Sequence, residues 1–328
     1  MGTPDFAAPS LKMLIGEGYE VPAVVTQPDR PKGRGGKSVA PVIKRIAEEA
    51  GIRVLQPYRP EEICDIVSGL AVDLCVTAAY GCILRKKFLR IPRLGTVNVH
   101  ASLLPLYRGP SPIHMALLNG DAQTGVTTML TESGVDTGPI LMSGKIQITD
   151  GMYFAELHDA LAELGAVILK ETVREYLSGR LEPVPQDGSL ASYAPMIRKD
   201  AGVLDFSLGA ERLVNTVRAF SAWPGAYARV GTASFKVHRA AYENNAGVAI
   251  GGPSGPAAGG PPGPAAGGPP AGMPARPAGS AVRVDRSALS VLCGDGNLFN
   301  ITRLQFENGR VMDISECWHN LRNIMITS

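Results

Sequence analysis

Asn98 and His100 stand two residues apart in the run Thr96-Val97-Asn98-Val99-His100. In a β-strand that spacing places both on one face, with Val97 and Val99 on the other. A carboxamide can donate an N–H to a developing oxyanion, and an imidazole can polarise a carbonyl or relay a proton. Side by side they suit acyl transfer, although a polar pair at a strand end more often anchors a loop. Ser102-Leu103-Leu104-Pro105 and Arg108-Gly109-Pro110-Ser111-Pro112 follow as a rigid loop leading into a helix near Ile113. Further on, Gly134-Val135-Asp136-Thr137-Gly138 sets a carboxylate between glycines on a turn. Beside an imidazole, Asp136 would fix its tautomer and raise its basicity. The bland alternative is an Asx-turn, which Asp before Thr-Gly commonly forms.

These side chains need a frame to bring them together. Short β-branched runs at 21–26, 53–55, 73–78 and 96–100 alternate with helical patterns at 41–50 and 61–70. Further strands are predicted at 125–131 and 140–148, and a long helix over 153–177. Alternating strands and helices imply βαβ units, an α/β class and a Rossmann-like, mostly parallel sheet. In such open sheets ligands bind beyond the strand C-termini, where His100 falls. After Pro183 the texture changes to an extended connector over 183–205. One helical pattern (210–220), short strands (225–230, 234–239, 290–293, 297–305) and a terminal helix after Met312 follow, which suggests a small β-barrel. The division read from this is a domain over 1–182, a linker over 183–205 and a second domain over 206–328. Residues 251–279 are low in complexity, with GPAAGGPP twice in tandem from Gly255 and Gly263. That stretch lacks the apolar surface to fold and reads as a disordered tether.

Composition narrows the classes. A net charge of +2 gives no global argument for a nucleic-acid partner, so that case must be local. No apolar stretch is long enough to span a membrane, and the N-terminus lacks the pattern of a secretory leader, so a cytoplasmic location is expected. Five scattered cysteines, none in a C-x-x-C pair, fit reduced core residues rather than a disulfide or zinc framework. His114, His158, His238 and His319 have no partner at metal spacing, so no metal is expected. Absence of G-x-G-x-x-G and Walker patterns argues against a nicotinamide or nucleoside triphosphate cofactor.

The segment NVHASLLPLYRGPSPI, with VDTG after it, resembles the catalytic core of the folate-dependent formyltransferases. The resemblance makes Asn98, His100 and Asp136 the catalytic trio and lines a folate pocket with Ser102, Leu103, Leu104 and Pro105. It implies attack of a neutral amine on the formyl carbon of 10-formyltetrahydrofolate, with Asn98 and protonated His100 steadying the oxyanion and Asp136 holding the imidazole. Which group takes the amine proton stays open. MGTPDFA at the start, TQPDRPKGRGGK at 26–37, AAYGCIL at 78–84, the run at 183–207 and RAFSAWPGAY at 218–227 resemble the branch of the family that formylates initiator methionyl-tRNA. Tyr80 and Gly81, inside the third of these, join the folate-binding candidates. The second domain of that branch resembles an oligonucleotide-binding (OB) barrel. A monomer is expected.

Between Arg30 and Arg45 lie six basic residues and no acidic ones, with Gly33, Gly35 and Gly36 lending flexibility suited to a phosphate-rich partner. Without the resemblance a solvated loop would be the better reading. With it, Arg30, Lys32, Arg34 and Lys37 become tRNA-binding candidates, Arg34 at the position of the key arginine. Two departures stand out. Leu106-Tyr107 replaces a more usual basic or bulky aromatic pair. The family also opens with a strand just before GTPDF, whereas this sequence starts at Met1-Gly2. A sheet lacking an interior strand would carry unpaired backbone groups and a cavity, so either the start lies upstream or stability suffers. Two rivals remain: another folate-dependent formyltransferase or a deformylase, which leaves the basic loop unexplained, and a tRNA-binding module without catalysis, against which the intact trio speaks.

Overall fold

The computed structural model describes residues 1–32, 37–245 and 277–321, with the backbone alone for 31–32 and 37–38. Two compact units emerge, one made of Met1–Ala116 with Asp121–Met196, the other of Leu117–Gly120 with the chain from Ile197 onward.

The first unit runs α1 (Ala8–Gly16), β1 (Val24–Val25), β2 (Arg30–Lys32), β3 (Lys37–Val39), α2 (Val42–Glu49), β4 (Val54–Leu55), α3 (Cys64–Gly69), β5 (Cys75–Ala78), α4 (Lys86–Leu89), β6 (Thr96–His100), α5 (Pro112–Leu118, whose last two residues belong to the other unit), β7 (Gln123–Leu130), β8 (Ile140–Gln147) and α6 (Phe154–Leu177). β5 and β6 pair in parallel, β6–β7 and β7–β8 antiparallel, giving the order β5-β6-β7-β8. β1 and β4 form a separate parallel pair.

α6 explains why β6 presents its polar face away from the core. Leu157, Leu161, Gly165, Leu169 and Val173 recur every four residues and are buried as one stripe. Its N-terminus is closed by the Glu156 carboxylate, which accepts from the Tyr153 N–H at 3.2 Å. Gly165 lets the helix lie close on the sheet, since a methyl there would stand 3.0 Å from Val99. Val97 and Val99, 0% and 3% exposed, therefore fill the helix side, and Asn98 and His100 take the opposite face.

Met1 and Gly2 lie between β1 and β5. The Gly2 N–H donates to the Val25 carbonyl at 3.0 Å, and the Met1 carbonyl accepts from the Ala78 N–H at 3.0 Å, so two residues bridge the strands. The terminal amine donates to the Val76 carbonyl at 2.6 Å, and burial holds its pKa below the ordinary value. Beyond that bridge a cavity of about 370 Å³ opens, walled by Val25 and Val76 of the strands, by Ala23 and Leu74 just before them, and by Leu11 and Leu14 of α1. The hydroxyl of Ser10, 3% exposed and also in this wall, has no hydrogen-bond partner among the described residues. Asn98, His100 and Asp136 are not in the wall.

The second unit holds α7 (Ala210–Ala219), β9 (Ala226–Val230), β10 (Ala233–Glu243), β11 (Ala281–Val284), β12 (Leu289–Leu292), β13 (Leu298–Phe306), β14 (Val311–Asp313) and α8 (Ile314–Leu321). Its strands form one antiparallel sheet in the order β11-β12-β13-β10-β9, with β14 beside β13. Register shifts in the β10–β13 ladder at Val237 to Ala240 bend the sheet in the manner of a small barrel. Among the described residues no ladder joins β9 to β11, so the barrel-like sheet is open there. Phe235, Val237, Phe299, Ile301 and Leu304 fill its core. The Gly/Pro-rich stretch falls between β10 and β11, and all of it before residue 277 lies outside the described residues.

Candidate active site at the end of the sixth strand

Asn98 sits opposite Thr77 in the β5–β6 register. The Thr77 hydroxyl donates to Asn98 Oδ1 at 2.8 Å. That bond occupies the amide oxygen and leaves the Nδ2 donors without a protein partner among the described residues. Sequence reading missed Thr77, because only strand register makes it a neighbour.

His100 is 6% exposed and its two ring nitrogens face different groups. Nε2 lies 3.0 Å from the Tyr107 carbonyl. A carbonyl can only accept, so Nε2 carries a proton and Nδ1 is the nitrogen free to gain one. Nδ1 lies 3.6 Å from Asp136 Oδ2, whose side chain is 17% exposed. The same oxygen accepts from the Gly109 N–H at 2.8 Å. Asp136 therefore crosses to the Arg108-Gly109 loop instead of closing an Asx-turn. It does so from a left-handed backbone, φ +50°, which Asp tolerates better than most residues.

Local bonds stiffen the loop between His100 and Gly109. The Ser102 hydroxyl donates to the Leu106 carbonyl at 2.6 Å. Thr127 on β7 donates to the Ser102 carbonyl at 2.7 Å and accepts from the Leu104 N–H at 3.1 Å. Of the four folate-binding candidates here, Ser102 and Leu104 are buried, while Leu103 and Pro105 keep part of their apolar surface open.

A second support comes from the segment after α6, which up to Met196 belongs to the first unit and, despite a short 3-10 turn at Gly188–Leu190, is tied down along its length. The Arg108 N–H donates to the Ser192 carbonyl at 2.9 Å and the Ala194 N–H to the Arg108 carbonyl at 2.8 Å. This strap passes so close that a Cβ at Gly109, where φ is +120°, would meet the Ala194 carbonyl oxygen at 2.5 Å. Gln186 is the hub. Its Oε1 accepts from Arg108 Nε and Nη2 at 3.0 and 2.7 Å, and its Nε2 donates to the Asp136 and Gly138 carbonyls at 2.9 and 2.7 Å. One side chain thus ties the Arg108 loop to the Asp136 turn. No motif spacing flags it, because the strap brings it in from far along the chain.

The remaining candidates are more dispersed. The Tyr80 ring is 4% exposed and packs in a cluster with Val25, Ile63, Leu84 and Phe88. Its side chain therefore belongs to the core, contrary to its expected place in a folate pocket. What reaches outward is the Tyr80-Gly81 turn, whose Tyr80 carbonyl accepts from Thr3 Oγ1 at 3.2 Å and Gln27 Nε2 at 3.1 Å. Arg30 is exposed. Lys32 and Lys37 sit on β2 and β3, which pair antiparallel, so the flanks of the basic loop are a ribbon rather than loose chain. Arg34 lies outside the described residues. His114 stacks on Phe154 at 4.3 Å between centroids, a packing role. Among the described residues no cluster of three or more His, Cys, Asp or Glu could hold a metal.

Two family models match the chain: formyl transferase over residues 1–173, and formyl transferase, C-terminal domain, over 196–322. The methionyl-tRNA formyltransferase of Ruminiclostridium cellulolyticum is 41% identical over 318 residues, covering 96% of this chain and 94% of the relative. That of Geobacter sulfurreducens is 41% identical over 318 residues, covering 96% and 91%. Among solved structures, the N-formyltransferase of Helicobacter canadensis, in complex with folinic acid and dTDP-3-aminofucose, has a TM-score of 0.62 at 17% identity. It covers 92% of this chain and 96% of its own, a likeness of fold.

Proposed function

The chain belongs to the formyl transferase family, and on that premise we propose that it moves the formyl group of 10-formyltetrahydrofolate to the amino group of initiator methionyl-tRNA. The observation that carries this reading is the meeting of His100 with Asp136 beside an Asn98 amide whose donors are unspent. Near-full-length relatives named for that activity support the choice of substrate over a sugar nucleotide.

A C–N bond forms between the amine nitrogen and the formyl carbon while the bond to the folate nitrogen breaks. Overall the amine loses one proton and the folate nitrogen gains one. Negative charge develops on the formyl oxygen, and donors already aimed at that charge lower the barrier because they need no reorganisation. Asn98 Nδ2 supplies neutral donors. His100 supplies charge when Nδ1 is protonated, and the Asp136 carboxylate at 3.6 Å is its counter-ion. Leu103 and Pro105, still partly open, give a pterin ring an apolar wall, alongside the Tyr80-Gly81 backbone. Ser102 and Leu104 hold that wall from beneath. Arg30, Lys32, Arg34 and Lys37 contact tRNA phosphates, and the pairing of β2 with β3 holds Arg30, Lys32 and Lys37 on one ribbon.

In this reading residues 1–182 carry the chemistry, 183–205 connect, and 206–328 form the OB-like part. The enzyme works as a monomer in the cytoplasm, and no described helix is long and apolar enough to cross a membrane. The test is incubation with 10-formyltetrahydrofolate and charged initiator methionyl-tRNA, following formylmethionine. Formyl release to water without tRNA dependence would replace this reading with a deformylase. Retained tRNA binding without turnover would leave only a binding module.

A further inference from the structure

We propose that Thr77 is a positioning residue for the transfer: its hydroxyl orients the Asn98 carboxamide so that Nδ2, and not Oδ1, faces the reacting oxygen. This rests on the catalytic reading of Asn98 given above. A primary amide has nearly the same shape after a half-turn about its last bond, so packing alone cannot choose between the two orientations. One presents two N–H donors to an oxyanion. The other presents a lone-pair oxygen that repels it.

The choice is made from the neighbouring strand. Thr77 is 5% exposed, and its single hydroxyl proton has two acceptors within reach: Asn98 Oδ1 at 2.8 Å and the Val97 carbonyl at 3.4 Å. With the amide as found, the proton takes the short bond and Oδ1 is satisfied. With the amide reversed, Nδ2 would donate to the hydroxyl oxygen instead, and the hydroxyl proton would be left with the Val97 carbonyl at 3.4 Å, a weaker bond than the 2.8 Å one it gives up, so the orientation found keeps the better set. A β-branched side chain in a strand has little rotamer freedom to evade this. Parallel pairing of Thr77 with Asn98 fixes the two side chains opposite each other. Nothing in the Asn-x-His spacing carries this information.

The experiment compares wild type, Thr77→Val, Thr77→Ser, Asn98→Ala and the Thr77→Val/Asn98→Ala double variant in steady-state formyl transfer, with kcat and both KM values measured. Valine keeps the shape and removes the hydroxyl. The expected result is a kcat lowered about tenfold in Thr77→Val, part of what loss of an oxyanion donor costs, with the folate KM unchanged and Thr77→Ser restoring the rate. In the Asn98→Ala background Thr77→Val should add nothing, because the residue acts through Asn98. An unchanged kcat in Thr77→Val, or an equal loss with and without Asn98, overturns the proposal while leaving the wild-type activity intact. A wild type that transfers no formyl group overturns the catalytic reading and this inference together.

Discussion

A carboxamide, an imidazole and a carboxylate contribute differently to acyl transfer, and each should fail in its own way. Asn98→Ala and His100→Ala each remove a group that meets developing charge, so kcat should fall by about a hundredfold or more. Measured rates within a few-fold of wild type in either variant would refute the assignment. Gln186 offers a different signature. Gln186→Leu would leave the Arg108 guanidinium and the carbonyls of Asp136 and Gly138 without their partner. Unpaired buried groups cost about 1–3 kcal/mol, so thermal unfolding should drop together with kcat. A lower rate at an unchanged melting temperature would mean that the hub is not structural. The shared strand face of Asn98 and His100 was legible in the sequence by period, and the placing of Asp136 on a turn by its flanking glycines. Thr77 and Gln186 were not, because their neighbours are set by strand register and by the return of the strap, which local spacing does not encode.

Elements differ in how clearly they announce themselves. α6 carries an apolar stripe at four-residue spacing from Leu157 to Val173, and its predicted and observed limits differ by one residue. The β6 limits match as well, because Val97 and Val99 alternate with polar residues. β2 and β3 went unrecognised, being three residues each and rich in Lys, Arg and Pro, which give no apolar period. β14 is equally short, β11 and α4 are one residue longer, and α1 begins Ala-Pro-Ser with only a weak stripe. The β2–β3 ribbon nonetheless carries the proposed tRNA contacts. Arg34→Ala should raise the KM for tRNA and flatten its salt dependence while leaving the folate KM alone, since one phosphate contact is lost. Equal weakening of both substrates would count against that role. Burial also sets thiol chemistry: it pushes the Cys293 thiol up to about 12 and raises those of Cys64, Cys75 and Cys317. Under native conditions near neutral pH, a thiol reagent should therefore react promptly with no more than Cys82. Rapid modification of Cys293 without unfolding would contradict the core seen around β12.

At the scale of the whole molecule, the cavity of about 370 Å³ between β1 and β5 departs from a close-packed interior. Its neighbours already lack contacts on one side, so truncating them should matter less than truncation elsewhere in the unit. Leu161→Ala, at a 0% exposed position under the sheet, should cost about 2–5 kcal/mol. Leu11→Ala, in the cavity wall, should cost distinctly less, and equal losses in denaturant titration would argue that the cavity is filled. Removing residues 255–270 should alter neither melting temperature nor turnover, because shortening a loop changes closure entropy by only fractions of a kcal/mol. The most direct measurement is single-turnover transfer of a labelled formyl group from 10-formyltetrahydrofolate to charged initiator tRNA, wild type against Asn98→Ala. Wild type should yield labelled formylmethionyl-tRNA in one rapid phase, and the variant the same product about a hundredfold more slowly with folate binding kept. Identical rates in the two proteins, or label appearing only in free formate, would contradict it.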